Sequence, residues 1–116
     1  MPKYMLLLHE RTSEGGDLSP EEIQGIIQKY RDWSQRMGEA GKLVGGDKLT
    51  DDDGKVLRPD GGGVAVTDGP YAETKEVIGG YFQIEAGDYA EAVEISKTCP
   101  HLAFGGGIEI RQVDEV

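Results

Sequence analysis

Two imidazoles and a run of charged side chains carry whatever chemistry this chain performs. His9 and His101 are its two histidines, and a side chain that titrates near neutrality is the natural proton shuttle when a carboxylate orients it. Asp68 is the first candidate for that carboxylate, because it opens the stretch Asp68-Gly69-Pro70-Tyr71-Ala72-Glu73-Thr74-Lys75-Glu76, where Gly and Pro force a turn and bring charges together. Within it, Lys75 could hold a carboxylate or enolate and Glu73 could take a proton. Solvated charge is the ordinary fate of such clusters, and that reading stands beside the functional one. Two roles are likewise open for His101, a proton shuttle or a cap on the carbonyls that end a helix before Pro100. His9 is either a ligand contact or a surface residue at a strand end. Arg111 is expected as a buried cation needing Glu109, Glu85 or an anionic ligand as partner.

Several chemistries are excluded by their missing signatures. The sequence contains no GxSxG, no phosphate-cradling Walker loop, no CxxC and no HExxH, and its glycine clusters do not form GxGxxG between a strand and a helix. Asp51-Asp52-Asp53 lacks the alternating spacing and closing Glu of a calcium loop. Two His and scattered Asp make no metal-site spacing, so neither metal nor cofactor is expected.

The elements that must position these residues follow from periodicity. Lys3 to Leu8 is a short apolar run suited to a central strand. Ser19-Pro20-Glu21-Glu22 combines an N-cap, Pro at the first helical position and a Glu three residues after the cap. The helix it starts carries Ile23, Ile26, Ile27, Tyr30, Trp33, Met37 and Ala40 on one side and stops at Gly41. Such a stripe reads as core rather than as an aromatic ligand box. Leu43 to Leu49 is a second strand broken by Gly45-Gly46, Thr50 to Gly54 a solvated hairpin tip, Gly63 to Thr67 a third strand, and Gly80 to Ala86 a fourth. Asp88 and Glu91 cap a shorter helix that ends before Pro100. A loop from His101 to Gly107 leads to a last strand, Ile108 to Val113.

One helix in each half, with strands alternating, predicts an α+β fold on the ferredoxin-like, split βαβ plan. Tyr81, Gln83, Glu85, Glu109, Arg111 and Thr67 would then point away from the helices. That face would also expose apolar side chains of the central strand, which favours covering it with a second copy and enclosing a polar-lined cavity for a small molecule.

At 116 residues the chain is one domain, 1–116. Its net charge of −10 excludes direct, non-specific attraction to nucleic acid. A single cysteine, Cys99, fits a reducing cytoplasm. No apolar run is long enough for a membrane span.

The motif just quoted, with Val44-Gly45-Gly46, Gly79-Gly80-Tyr81-Phe82, Pro100-His101-Leu102 and Gly106-Gly107-Ile108-Glu109-Ile110-Arg111, resembles the YCII-related family, in particular its DGPF branch, from Lys3 to Val113. The resemblance implies a dimeric α/β barrel. It also implies two kinds of function. Some relatives are regarded as enzymes using a His and an Asp, here His101 and Asp68, and the branch often neighbours extracytoplasmic-function sigma factors, which suggests a regulatory partner. Tyr71 stands where Phe is usual, adding a hydroxyl that could touch a ligand, and Gln112 where Pro is common. The reading is therefore a homodimeric cytoplasmic protein that binds a small carbonyl- or carboxylate-bearing molecule through His9, Tyr71, Glu73, Lys75, Tyr81 and Arg111, with proton-transfer or lyase chemistry by His101 and Asp68. The alternative is a sigma-factor accessory that does not touch DNA.

Overall fold

The central strand forms as its apolar run predicts, and it is longer. In the computed structural model, which describes residues 1–11, 18–69 and 76–115, β1 (Lys3–Arg11) lies in a four-stranded sheet with β2 (Leu43–Lys48), β5 (Glu76–Glu85) and β6 (Gly107–Gln112). The strand order is β2-β5-β1-β6, and all neighbours are antiparallel. Leu6 pairs with Phe82 on one side and Ile110 on the other, whereas Leu7 pairs with Tyr81 and Glu109. Alternation along the strand therefore puts Tyr4, Leu6 and Leu8 on the buried face, and Met5 and Leu7 on the outer face, where they are partly exposed. A register shift between Leu8 and His9 marks a bulge.

Helix α1 (Pro20–Glu39) begins as its capping box requires. Ser19 Oγ accepts from the Glu22 amide at 3.1 Å, and Glu22 Oε1 accepts from the Ser19 amide at 3.2 Å. It ends where Gly41 takes φ 72°, so that Lys42 and Gly41 donate to the Met37 and Gly38 carbonyls. Trp33 is its fully buried residue, packing against Phe82 with ring centroids 4.9 Å apart and donating its indole N–H to Thr98 Oγ1 at 2.8 Å. Helix α2 (Tyr89–Lys97) is capped by Asp88, but the Glu91 carboxylate reaches back to the Gly87 amide rather than to that of Asp88.

Three expectations are corrected here. The loop expected from His101 contains a short helix, α3 (Pro100–Ala103), because Cys99 is extended and Pro100 starts the turn with φ already fixed. The third strand does not join the main sheet. β4 (Gly63–Asp68) pairs with β3 (Lys55–Asp60) in a separate two-stranded sheet, so Thr67 is not on the sheet's outer face. The hairpin tip is Gly61-Gly62, both at positive φ, and not Thr50 to Gly54. Two adjacent positive-φ residues match the right-handed twist of a tight hairpin, which favours pairing β4 with its sequence neighbour.

The core therefore lies between the sheet's buried face and the helices, around Tyr4, Leu6, Trp33, Ile84, Ala86, Ala92 and Cys99. The hairpin stands outside it. A radius of gyration of 16.2 Å exceeds the value of about 13 Å for a compact chain of this length.

Candidate functional site

The apolar stripe of α1 is longer than the surface that covers it. Trp33 is buried and Met37 packs on the core, whereas Ile23, nearer the start, is 44% exposed. The uncovered part lines a cleft of about 520 Å³ between α1 and the sheet, with Ile23, Ile27 and Tyr30 on one wall and Leu8 and Phe82 on the other. Glycines keep the sheet wall low. A Cβ on Gly46 would stand 2.6 Å from the Phe82 ring, one on Gly80 would stand 2.9 Å from the Asp47 carbonyl, and one on Gly79 would overlap the Glu10 carboxylate. Arg31 and Lys48 supply positive charge among the lining residues, Lys48 being ion-paired to Asp51 at 3.1 Å, and Glu10 and Asp47 supply negative charge.

His101 also lines this cleft. It is 4% exposed and both ring nitrogens are engaged: Nε2 lies 2.9 Å from the His9 carbonyl oxygen and Nδ1 lies 2.8 Å from the Tyr30 hydroxyl. A carbonyl only accepts, so Nε2 carries a proton; in the neutral ring Nδ1 then accepts from the Tyr30 O–H. Gly106 makes room for the ring, since any Cβ there would run into it. Burial, reinforced by the charges of Cys99 and Glu10, pushes the Tyr30 phenol up to about 12. Tyr30 is thus a neutral donor at physiological pH. Burial likewise raises the Cys99 thiol, which removes it as a nucleophile.

The outer sheet face holds a second set. His9 Nε2 lies 3.0 Å from Glu109 Oε1, and Arg111 lies 3.6 Å from Glu109 Oε2. The His9 hydrogen bond is the main reason that the Glu109 carboxyl sits below the usual range. Tyr81 donates to Asp47 Oδ2 at 2.8 Å, and that bond raises its phenol. Arg111 is 70% exposed in the single chain, on the edge strand β6, with Glu109 as its partner.

The candidates from sequence are therefore distributed over three places. His101 is in the cleft; His9 and Arg111 are on the outer face, with the His9 carbonyl joining the two through the sheet, and Tyr81 lines the cleft while its hydroxyl bonds Asp47. Asp68 is on the hairpin, ion-paired to Lys55, while the ring nitrogens of His101 are held by Tyr30 and His9. Tyr71, Glu73 and Lys75 lie outside the described residues. Glu10 is not singled out by the sequence, Gly106 enters there only as part of the motif, and Tyr30 reads there as core. The signal for Tyr30 was its hydroxyl, which demands a partner when the ring is half-buried on an otherwise apolar stripe.

Among the described residues, no group of three or more His, Cys, Asp or Glu is placed to hold a metal ion, and no helix is long and apolar enough to cross a membrane. The family model for the YCII-related domain matches residues 3–116, nearly the whole chain. Comparison with curated proteins gives no match.

Proposed function

The chain belongs to the YCII-related domain family, and from that premise we propose that it binds a small molecule with an apolar body and a carbonyl or carboxylate end in the cleft between α1 and the sheet, with Tyr30 and His101 as its proton-handling pair. The observation that carries this reading is a buried, doubly hydrogen-bonded imidazole beside an uncovered apolar wall. Apolar pockets with a few convergent polar groups are the usual form of a small-molecule site. Arg31 provides charge for a carboxylate, and Ile23, Ile27, Leu8 and Phe82 take the apolar body.

The pair supports a relay. A weakly acidic C–H or O–H of the ligand gives its proton to the Tyr30 oxygen as the Tyr30 proton passes to His101 Nδ1. The ligand is left as an enolate or alkoxide, and the imidazolium keeps its Nε2–H on the His9 carbonyl, near the negative charge of Glu10. With the phenol near 12, free tyrosinate is scarce, so the two transfers are concerted. Asp68, the acid paired with His101 by the family resemblance, has no step in this scheme.

The test is thermal stabilisation by a panel of small aryl and alkyl carboxylates and ketones. A ligand at a hundred times its Kd stabilises by about 2.7 kcal/mol, and filling the cleft with Ile27→Trp abolishes the effect. Stabilisation that survives Ile27→Trp, or none across the panel, overturns the reading.

A second reading concerns assembly. Met5 and Leu7 form an apolar strip on the outer face between Tyr81 and Gln83 on one side and Glu109 and Arg111 on the other. This supports two copies pairing across that face, and the strand order β2-β5-β1-β6 supports a ferredoxin-like plan closed into a dimeric α/β barrel. Sedimentation of a lone subunit at micromolar concentration would contradict it.

A further inference from the structure

The β3–β4 hairpin exposes an apolar face that the described residues of its own chain leave uncovered. In its register Leu57 lies opposite Val66 and Pro59 opposite Val64, so these four side chains share one face. Leu57 is 59% exposed, Val66 60% and Val64 62%. An isolated two-stranded ribbon is at best marginally stable in water, and four apolar residues facing solvent make it worse. Something must cover them.

We infer that this hairpin is an arm that clasps a second copy of the chain, laying Leu57, Pro59, Val64 and Val66 across the outer-face strip of Met5 and Leu7 in that copy. The inference rests on the pairing of two copies proposed above and names the element that holds them. Three observations select a second copy as the occupant. First, the chain exposes 8153 Å², about 1,900 Å² more than the roughly 6,200 Å² of a compact monomer of its mass. That surplus lies within the range that each partner of an extensive homodimer buries. Second, the hairpin is neutral, with Lys55 and Arg58 against Asp60 and Asp68, on a chain of net charge −10. Two acidic copies repel each other least where they meet through a neutral element, whereas a basic partner would be drawn to the acidic surfaces elsewhere. Third, the same chain carries both halves of the contact, a ribbon face and a sheet strip, so a two-fold exchange satisfies both at once.

The test combines sedimentation with a designed cross-link in the full chain. Cys99 is buried, so cysteines introduced elsewhere report cleanly. The wild type is expected to sediment as a dimer, and Leu57→Asp or Val66→Asp to weaken it by about a hundredfold, because a carboxylate replaces an apolar contact. Both variants keep native Trp33 fluorescence, since the hairpin is outside the core, while Arg58→Asp on the ribbon's other face stays dimeric. Leu7→Cys with Val66→Cys should oxidise to a disulfide between chains. A monomeric wild type defeats the pairing reading itself. A dimer that both Asp variants leave intact, or a disulfide closed within one chain, defeats the arm and leaves pairing standing.

Discussion

The Tyr30 hydroxyl and His101 Nδ1, 71 residues apart in the chain, lie 2.8 Å from each other beside the cleft. Each satisfies the other's buried polar atom, and Gly106 is the residue whose missing side chain permits it. Removing either partner leaves a group desolvated and unpaired. His101→Ala strands both the Tyr30 hydroxyl and the His9 carbonyl, at roughly 1–3 kcal/mol for each group left without a partner. Tyr30→Phe strands one nitrogen only and costs less. Urea denaturation of the two variants checks the order; equal, negligible losses would mean that the pair contributes nothing to the fold.

Alkaline pH separates this tyrosine from the others. The Tyr30 phenol is raised from 10.0 to about 12 in the folded chain, so the folded state holds its proton more tightly than the unfolded state. Its contribution to stability is complete below pH 10 and is lost as pH rises from there through about 12. Tyrosinate absorbance should show a late-titrating phenol that Tyr30→Phe removes, together with a flatter decline of stability over the same range.

At the acid end the outer face responds with the opposite sign. The Glu109 carboxyl is lowered chiefly by the His9 hydrogen bond, so what it contributes is present above the unfolded-state value and is lost as pH falls through the folded one. Carboxyl titration followed by NMR should find Glu109 below the usual carboxylate range, and His9→Gln should return it upward. An unchanged Glu109 in that variant would contradict the pairing.

Substitution of Trp33 reports on the core that holds the cleft's far wall. Trp33→Ala should cost about 3–5 kcal/mol through the cavity it leaves, and it also removes the indole donor to Thr98 Oγ1. Denaturation midpoints measure this. A loss under about 1 kcal/mol would mean that the site collapses freely.

Gly106→Ala tests the seat of the imidazole. The new Cβ collides with the His101 ring, so the ring must move off Tyr30 or the loop must shift. The expected outcome is a Tyr30 phenol that titrates earlier than in the wild type, with ligand stabilisation reduced. An unaltered Tyr30 titration would show that the loop absorbs the change.

The sequence made the locally determined features legible and concealed those decided at long range. Helix α1 announces itself through Ser19, Pro20, Glu22 and Gly41, because caps are contacts between neighbours in the chain. The buried face of β1 likewise follows from its apolar run. The separate hairpin did not, since whether Gly63 to Thr67 joins the main sheet depends on which distant strands compete to pair with it. Tyr30 read as core because periodicity counts its ring and ignores its hydroxyl; only the fold shows that α1 extends past the sheet that would cover it. Gly46, which reads as a strand interruption, and Gly79, which reads as a strand entry, instead set the height of the cleft wall.

The most direct test of the central claim follows the side chains of Ile23, Ile27, Tyr30 and His101 by NMR while small aryl and alkyl carboxylates are titrated into the protein. Binding in the cleft predicts saturable shifts concentrated on those four residues and absent in Ile27→Trp. Saturable shifts confined to His9, Glu109 and Arg111 on the outer face would contradict it.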